Sequence, residues 1–222
     1  MNEIVPPTGY YYPNRMGRIF LTSMRDAIGQ DGLRDLLAEA GVEPLIRNFP
    51  PDNLEQQFDF AYFSNINQGL SEIYGPRGSR RLALRGGREM FKHGLSKFGD
   101  LAGVGNLAFK VLPLETKLRI GIPTLARIFT QFSDQDSHVV EKDDHFLYYI
   151  DRCSVCWQRK ADHPICFIAI GILQEALRWV SGEEEFRIDE IECVAMGAEA
   201  CVFKIDKEPI KNPIIILIKT IN

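Results

Sequence analysis

The sequence predicts one α+β domain, with a mainly helical half over residues 1–135 and an α+β half over 136–222. Three observations carry this. Apolar residues recur at helical spacing through the first half, as in Leu54, Phe58, Tyr62, Ile66, Leu70 and Ile73 and again from Leu118 to Phe132. Beyond residue 144, short apolar runs of strand length flank a single longer apolar segment. No long linker separates the halves, so they share a core.

Residues 1–14 contain Pro6, Pro7, Gly9, Pro13 and the run Tyr10–Tyr12, and read as an irregular arm docked on the surface. Amphipathic helices over Met16–Ile28 and Leu33–Ala40 follow, closed by Gly29 and Gly41. Pro50 and Pro51 break the chain. Asp52 with Glu55 then offers a capping box for the helix that starts near Leu54 and ends at Gly75-Pro76. Its aromatic stripe, which includes Phe58 and Tyr62, usually faces a core, but in a fold that holds apolar ligands it would wall a pocket.

A glycine-broken basic segment comes next, with Arg77, Arg80, Arg81, Arg85, Arg88, Lys92 and Lys97. Such a run usually marks a solvated helix face. Arginines there would also suit a phosphate or carboxylate, but the Walker spacing of a nucleotide loop is missing. Leu118, Ile122, Leu125, Ile128, Phe129 and Phe132 mark another helix, bent near Pro123. Ser133–Asp144 is a charged connection, and His145–Ile150 reads as a strand. Pro164–Val180 reads as a buried helix, with Asp162 as a possible N-cap and Gly182 just past its end. Phe186–Val194 and Val202–Ile205 read as strands joined by a tight turn at Gly197-Ala198. The alternation falters between Ile188 and Ile191, which predicts a bulge turning Glu190 towards Cys193. After a polar break at Lys207–Pro213, the aliphatic run Ile214–Ile218 is expected to be a buried strand or an oligomer contact.

Composition narrows the function. A formal charge of −4 and a pI near 5.6 give no argument for nucleic acid. Five cysteines make an odd count with no recognisable disulfide framework, and the first residues lack the apolar core of a signal peptide, so a reducing cytoplasm is expected. No apolar run approaches the ~20 residues of a membrane span. No Gly-x-Gly-x-x-Gly fingerprint of a dinucleotide site follows a predicted strand.

The chemistry concentrates at Cys166, Glu190, Cys193 and Cys201. Three thiolates and a carboxylate suit a tetrahedral zinc ion. Single buried cysteines more often serve as small apolar side chains, so core packing is the alternative. Cys153 and Cys156 form a Cys-x-x-Cys after the predicted strand, and a tetrathiolate of Cys153, Cys156, Cys193 and Cys201 is the rival site. His163, before the helix, reads as a surface or capping group.

The run from Cys166 to Phe203, CFIAIGILQEALRWVSGEEEFRIDEIECVAMGAEACVF, resembles the signature half of the vinyl-4-reductase domain family, also described as hydrocarbon-binding proteins. It is similar to the sensory domains of phenol-responsive transcription activators. The family pattern of Glu-x-Glu-Cys, a glycine turn and a cysteine falls on Glu190, Glu192, Cys193, Gly197 and Cys201, with its upstream cysteine on Cys166. The resemblance implies zinc held by Cys166, Glu190, Cys193 and Cys201. With four protein ligands such a site is closed and structural. It also implies the fold of ligand-binding domains in nitric-oxide signalling and Golgi-transport tethering proteins: helices on one side of an antiparallel sheet, often as homodimers. The leading expectation is a binding or sensing protein that holds a hydrocarbon, phenol-like molecule or tetrapyrrole among helices lined by Phe58, Tyr62, Phe129, Phe132 and Trp179. A tetrapyrrole vinyl reductase or its accessory carrier is the alternative, and a tethering dimer without a ligand is the second.

Overall fold

A computed structural model of the protein describes residues 4–102, 109 and 111–210, with backbone alone at 99–102. The tyrosine arm ends in a strand, β1 (Tyr11–Pro13), which pairs antiparallel with β2 (Gln56–Asp59), Tyr12 opposite Phe58. This corrects two expectations: the arm is ordered by backbone pairing, and the helix expected from Leu54 starts only at Phe60. Leu54 and Phe58 match a helical repeat by spacing, but the partner strand claims the backbone there. Asp59 takes the role expected of Asp52, its Oδ1 accepting from the Ala61 N–H at 2.7 Å. Asp52 instead pairs with Arg15 and Lys97.

Helix α1 (Asn14–Glu39) holds both predicted helices, which meet at Gly29 with a left-handed φ of 81°. A short helix, α2 (Pro44–Arg47), precedes β2. Helix α3 (Phe60–Ala102) is likewise two segments joined at Gly75, the predicted end of the first. Pro76 opens the second segment, where its missing N–H has no intrahelical partner to lose. The basic run that follows is continuous helix, and Gly87 within it is a packing site. Helix α4 (Leu114–Phe132) contains Pro123, and helix α5 (Phe167–Ser181) is the buried one. A Cβ at Gly87 would lie 2.2 Å from the Ile168 carbonyl oxygen, and one at Gly171 would lie 2.3 Å from that of Leu84. Helices α3 and α5 therefore cross with their backbones in contact.

Four strands form an antiparallel sheet in the order β3 (Ser137–Glu141), β4 (His145–Ile150), β6 (Cys201–Pro209), β5 (Phe186–Glu192). Strand β3 lies in the stretch read as a charged connection; an edge strand with polar residues around Val139 and Val140 has too little alternation to stand out. Strand β6 runs to Pro209, past the predicted end at Ile205, because Phe186 of β5 pairs with Pro209 and the Lys207 ammonium reaches Glu141 on the far edge strand. Ile214–Ile218 lies outside the described residues. One buried cluster joins both halves, running from Phe20 and Leu36 on α1 through Phe60 and Ile66 on α3 and Ile168 on α5 to Phe146 and Phe203 on the sheet. No described helix is long and apolar enough to cross a membrane.

Candidate metal centre and apolar cavity

All five cysteines are buried and unpaired. Cys166 is the N-cap residue of α5, in place of the expected Asp162, which is exposed beside His163. Cys193 follows β5, Cys201 opens β6, and Cys153 and Cys156 sit on the loop after β4. Register explains their meeting: Ile150 at the end of β4 lies opposite Cys201, so the chain leaves the sheet directly beside that thiol. Sulfur–sulfur distances are 3.6 Å for Cys153–Cys166, 3.4 Å for Cys156–Cys201, 3.7 Å for Cys166–Cys201, and 4.0 Å from Cys193 to each of Cys166 and Cys201. These are far beyond a disulfide bond of ~2.05 Å. They match the edge of about 3.8 Å of a tetrahedron built on metal–sulfur bonds of ~2.3 Å.

Glu190 joins them by ordinary strand alternation, inward with Phe186 and Ile188. The predicted bulge lies between Glu190 and Glu192, but its effect differs from the expected one. Glu190 faces in without it. The extra residue leaves Ile191 and Glu192 outside and returns Cys193 to the interior. One carboxylate oxygen of Glu190 accepts the Cys166 N–H at 2.8 Å, satisfying a donor at the start of α5. The other is buried without a hydrogen-bond partner. Burial, with Cys193 close by, pushes the Glu190 carboxyl up to about 8, and burial also pushes the Cys166 thiol up. A cation at this point reverses that logic by favouring both anions. The donors therefore fit a thiophilic metal ion, with Cys166 and Cys201 common to two four-donor sets: Cys166, Glu190, Cys193, Cys201 and Cys153, Cys156, Cys166, Cys201.

Sequence reasoning kept Cys153 and Cys156 in a rival set with Cys193 and Cys201; the structure instead groups them with Cys166 and Cys201. The available signal was a Cys-x-x-Cys directly after a strand, and the pairing of that strand with β6 was the missing step. Burial lowers the pKa of Arg159, half-buried just beyond Cys156, and thiolate charge on Cys166, Cys156 and Cys193 would oppose that lowering. The Val194 N–H approaches Cys201 Sγ at 3.4 Å. These are the compensating groups that a negatively charged thiolate centre needs.

The second feature is an apolar cavity of about 100 Å³ between α1, α3, α4 and α5, lined by Met16, Met90, Leu95, Phe98, Leu125, Phe129, Ala176 and Trp179 among others. Trp179 stacks on Phe109 at 6.0 Å and tilts onto Phe91 at 6.4 Å. Of the aromatic residues proposed from the sequence, Phe129 and Trp179 line this space. Phe58 instead packs over Gly17 in the β2–α1 contact, with Tyr62 edge-on to it at 5.4 Å. Phe132 lies behind the lining, 5.6 Å from the Phe98 ring.

With this arrangement in view, residues 147–207 match the family model of the vinyl-4-reductase (V-4-R) domain. That span holds all six donors of the cysteine–glutamate cluster, and the resemblance drawn from the sequence rests on the same residues. An uncharacterized protein of Methanocaldococcus jannaschii is 32% identical over 57 residues, which are 26% of this chain and 31% of that protein. The match thus spans about a third of the curated relative's length. Among solved structures, the unliganded Fe(II) form of an H-NOX protein from K. algicida is 13% identical with a TM-score of 0.54, covering 90% of this chain and 98% of that one. An S. oneidensis H-NOX protein in its Fe(II)NO state is 15% identical with a TM-score of 0.51, over 86% and 98%. A structure probing heme distortion in the H-NOX family is 14% identical with a TM-score of 0.56, over 90% and 97%. The chain therefore has the α+β fold of these domains, as expected.

Heme, named for that family, does not fit the residues present. Iron in heme is held by histidine, cysteine or tyrosine, or by methionine opposite histidine. All four histidines are paired with aspartates away from the cavity: His93 with Asp26, His138 with Asp151, His145 with Asp144 and His163 with Asp162. The cysteines belong to the buried cluster described above, and among the described residues no histidine, cysteine or tyrosine lines the cavity.

Proposed function

We propose that the protein is a small-molecule binding and sensing domain, holding a single-ring or similarly small apolar molecule in the helical cavity, with a structural zinc centre at the start of α5. Helix α5 carries this reading. Its first turn starts at Cys166 in the thiolate cluster, and its later turns supply Ile172, Leu173, Ala176, Leu177 and Trp179 to the cavity wall. Metal at Cys166, Glu190, Cys193 and Cys201 would clamp the start of α5 to the end of β5 and the start of β6, holding the wall in register with the sheet. A closed set of four protein ligands leaves no position for substrate, in keeping with a structural ion.

Size favours one ligand class over another. A cavity of about 100 Å³ is of the order of the ~150 Å³ engineered cavity that admits benzene, and well under the ~300–1,000 Å³ of sites for drug-sized ligands. A phenol-like or short hydrocarbon guest is thus favoured over a tetrapyrrole. The vinyl-4-reductase domain match and the fold shared with H-NOX proteins, one of them solved with NO on its iron, support a sensing role. Native mass spectrometry, with organic extraction of the same sample, tests the reading. The expected result is zinc retained on each chain and saturable binding of toluene or phenol that changes Trp179 fluorescence. A homodimer would appear as doubled mass. Metal-free protein with no saturable guest would overturn the proposal.

A further inference from the structure

A single ion cannot use all of the donors this fold has gathered. With the ion on Cys166, Glu190, Cys193 and Cys201, the Cys153 and Cys156 thiols stay buried beside it. With the ion on Cys153, Cys156, Cys166 and Cys201, Cys193 and the unpartnered oxygen of Glu190 are left over. The two sets share one edge, Cys166–Cys201 at 3.7 Å. Contacts fan out to both sides of that edge: Cys153 and Cys156 touch it at 3.6 and 3.4 Å, and Cys193 touches both of its sulfurs at 4.0 Å.

We infer that the cluster is a binuclear centre for two thiophilic divalent ions, zinc in the cell, with Cys166 and Cys201 as bridging thiolates. Cys153 and Cys156 complete the coordination of one ion, and Cys193 and Glu190 complete that of the other. This rests on the metal-centre reading above and adds a second ion to it. Each thiol loses its proton as its sulfur binds metal, and no redox partner is needed. A second ion adds no net charge to bury: one ion on Cys166, Glu190, Cys193 and Cys201 carries a formal charge of about minus two with two neutral thiols left over, and two ions on all six donors also carry about minus two. Sulfurs at 3.4–4.0 Å also suit ligands of shared ions. An iron–sulfur cluster would interpose inorganic sulfide between irons and spread its cysteines farther apart.

The test is metal stoichiometry of the full chain, prepared anaerobically and loaded with zinc or cadmium, by native mass spectrometry and cadmium NMR. Two ions per chain are expected, with two cadmium signals, one for the all-sulfur site and one for the mixed site, coupled to each other through the bridging sulfurs. Cys156→Ser and Cys193→Ser should each retain one ion, by losing opposite halves. One ion in the wild type, kept by Cys156→Ser and lost by Cys193→Ser, overturns the binuclear centre and leaves the single zinc site standing. The reverse pattern overturns both in favour of the tetrathiolate alone. Acid-labile sulfide with iron would replace the proposal by a cluster, and no bound metal at all would remove the metal reading with it. The NMR result on the wild type stands even if a variant fails to fold.

Discussion

Cys201 and Cys166 carry most of the proposed centre: each sulfur lies within 4.0 Å of three others, Cys201 of Cys156, Cys166 and Cys193 and Cys166 of Cys153, Cys193 and Cys201, and each belongs to both four-donor sets. Cys201→Ser should therefore abolish metal binding, whereas Cys153→Ser should leave metal at the other set. Because a structural ion contributes folding free energy directly, the loss should be at least ~3 kcal/mol. For a chain of this size ~1 kcal/mol moves Tm by about 2–4 °C, so thermal unfolding should fall by ~6–12 °C. A Cys201→Ser protein that keeps its metal and melts like the wild type would remove this sulfur from the centre. Glu190 shows what can be read at this scale. Its turn towards Cys193 was expected from a bulge, whereas ordinary alternation along β5 supplies it; the effect of the bulge was not legible, because a bulge is defined by two strands and β6 decides which residue is extra.

Among the elements, the crossing of α3 and α5 depends on two glycines that face each other. Gly87→Ala would set a methyl group 2.2 Å from the Ile168 carbonyl oxygen, and Gly171→Ala one 2.3 Å from that of Leu84, both backbone atoms that cannot swing aside. Overpacking of this kind costs ~1–3 kcal/mol or more, against the small gain in helix propensity that Ala usually brings. Each variant should show a lower urea midpoint, while Gly94→Ala, with open space around it, should not. Gly87 was plain in the sequence but read as a break in a basic run, because its partner, Gly171, lies some eighty residues away on another helix.

Arg88 of α3 reaches Glu175 on α5 at 3.5 Å and donates two hydrogen bonds, at 3.0 and 2.9 Å, to Glu185 in the loop between α5 and β5. Arg88 holds the Glu185 carboxyl below its ordinary value of 4.5. A depressed carboxylate stabilises the fold above that ordinary value, and the contribution is lost as pH falls through the lowered one. Arg88→Met should thus lower the denaturation midpoint near neutral pH and narrow the gap between neutral and acid conditions. Partial exposure of the pair limits the Glu185 contribution to about 1 kcal/mol or less. Equal losses at both pH values would show that Arg88 acts through packing alone.

At the scale of the whole molecule, the cysteine cluster lies at the start of α5 and the cavity along its later turns, and the two can be separated experimentally. Ala176→Phe fills the cavity from its own wall and should reduce affinity for a one-ring guest at least tenfold while leaving the metal count unchanged. In the wild type, a guest at a hundred times its Kd should add about 2.7 kcal/mol of stability. That corresponds to a rise in Tm of roughly 5–10 °C, checked by calorimetry. A guest that stabilises Ala176→Phe as much as the wild type binds elsewhere.

Local patterning alone determined a good deal: an α+β chain with helices first and strands later, breaks at Gly29, Gly75 and Gly182, and a chemistry concentrated in cysteines and one glutamate. Those features depend on near neighbours, on φ preferences and on periodicity, which a sequence displays directly. Tertiary structure decided the rest. Pairing with β2 made a strand of the tyrosine arm and delayed α3 to Phe60, the β4–β6 register brought the Cys153–Cys156 loop against Cys201, and the packing of four helices chose Phe129 and Trp179 for the cavity while Phe58, on β2, is buried against α1. Each of these depends on which distant segments share hydrogen bonds or volume, and spacing along one chain does not encode that partner.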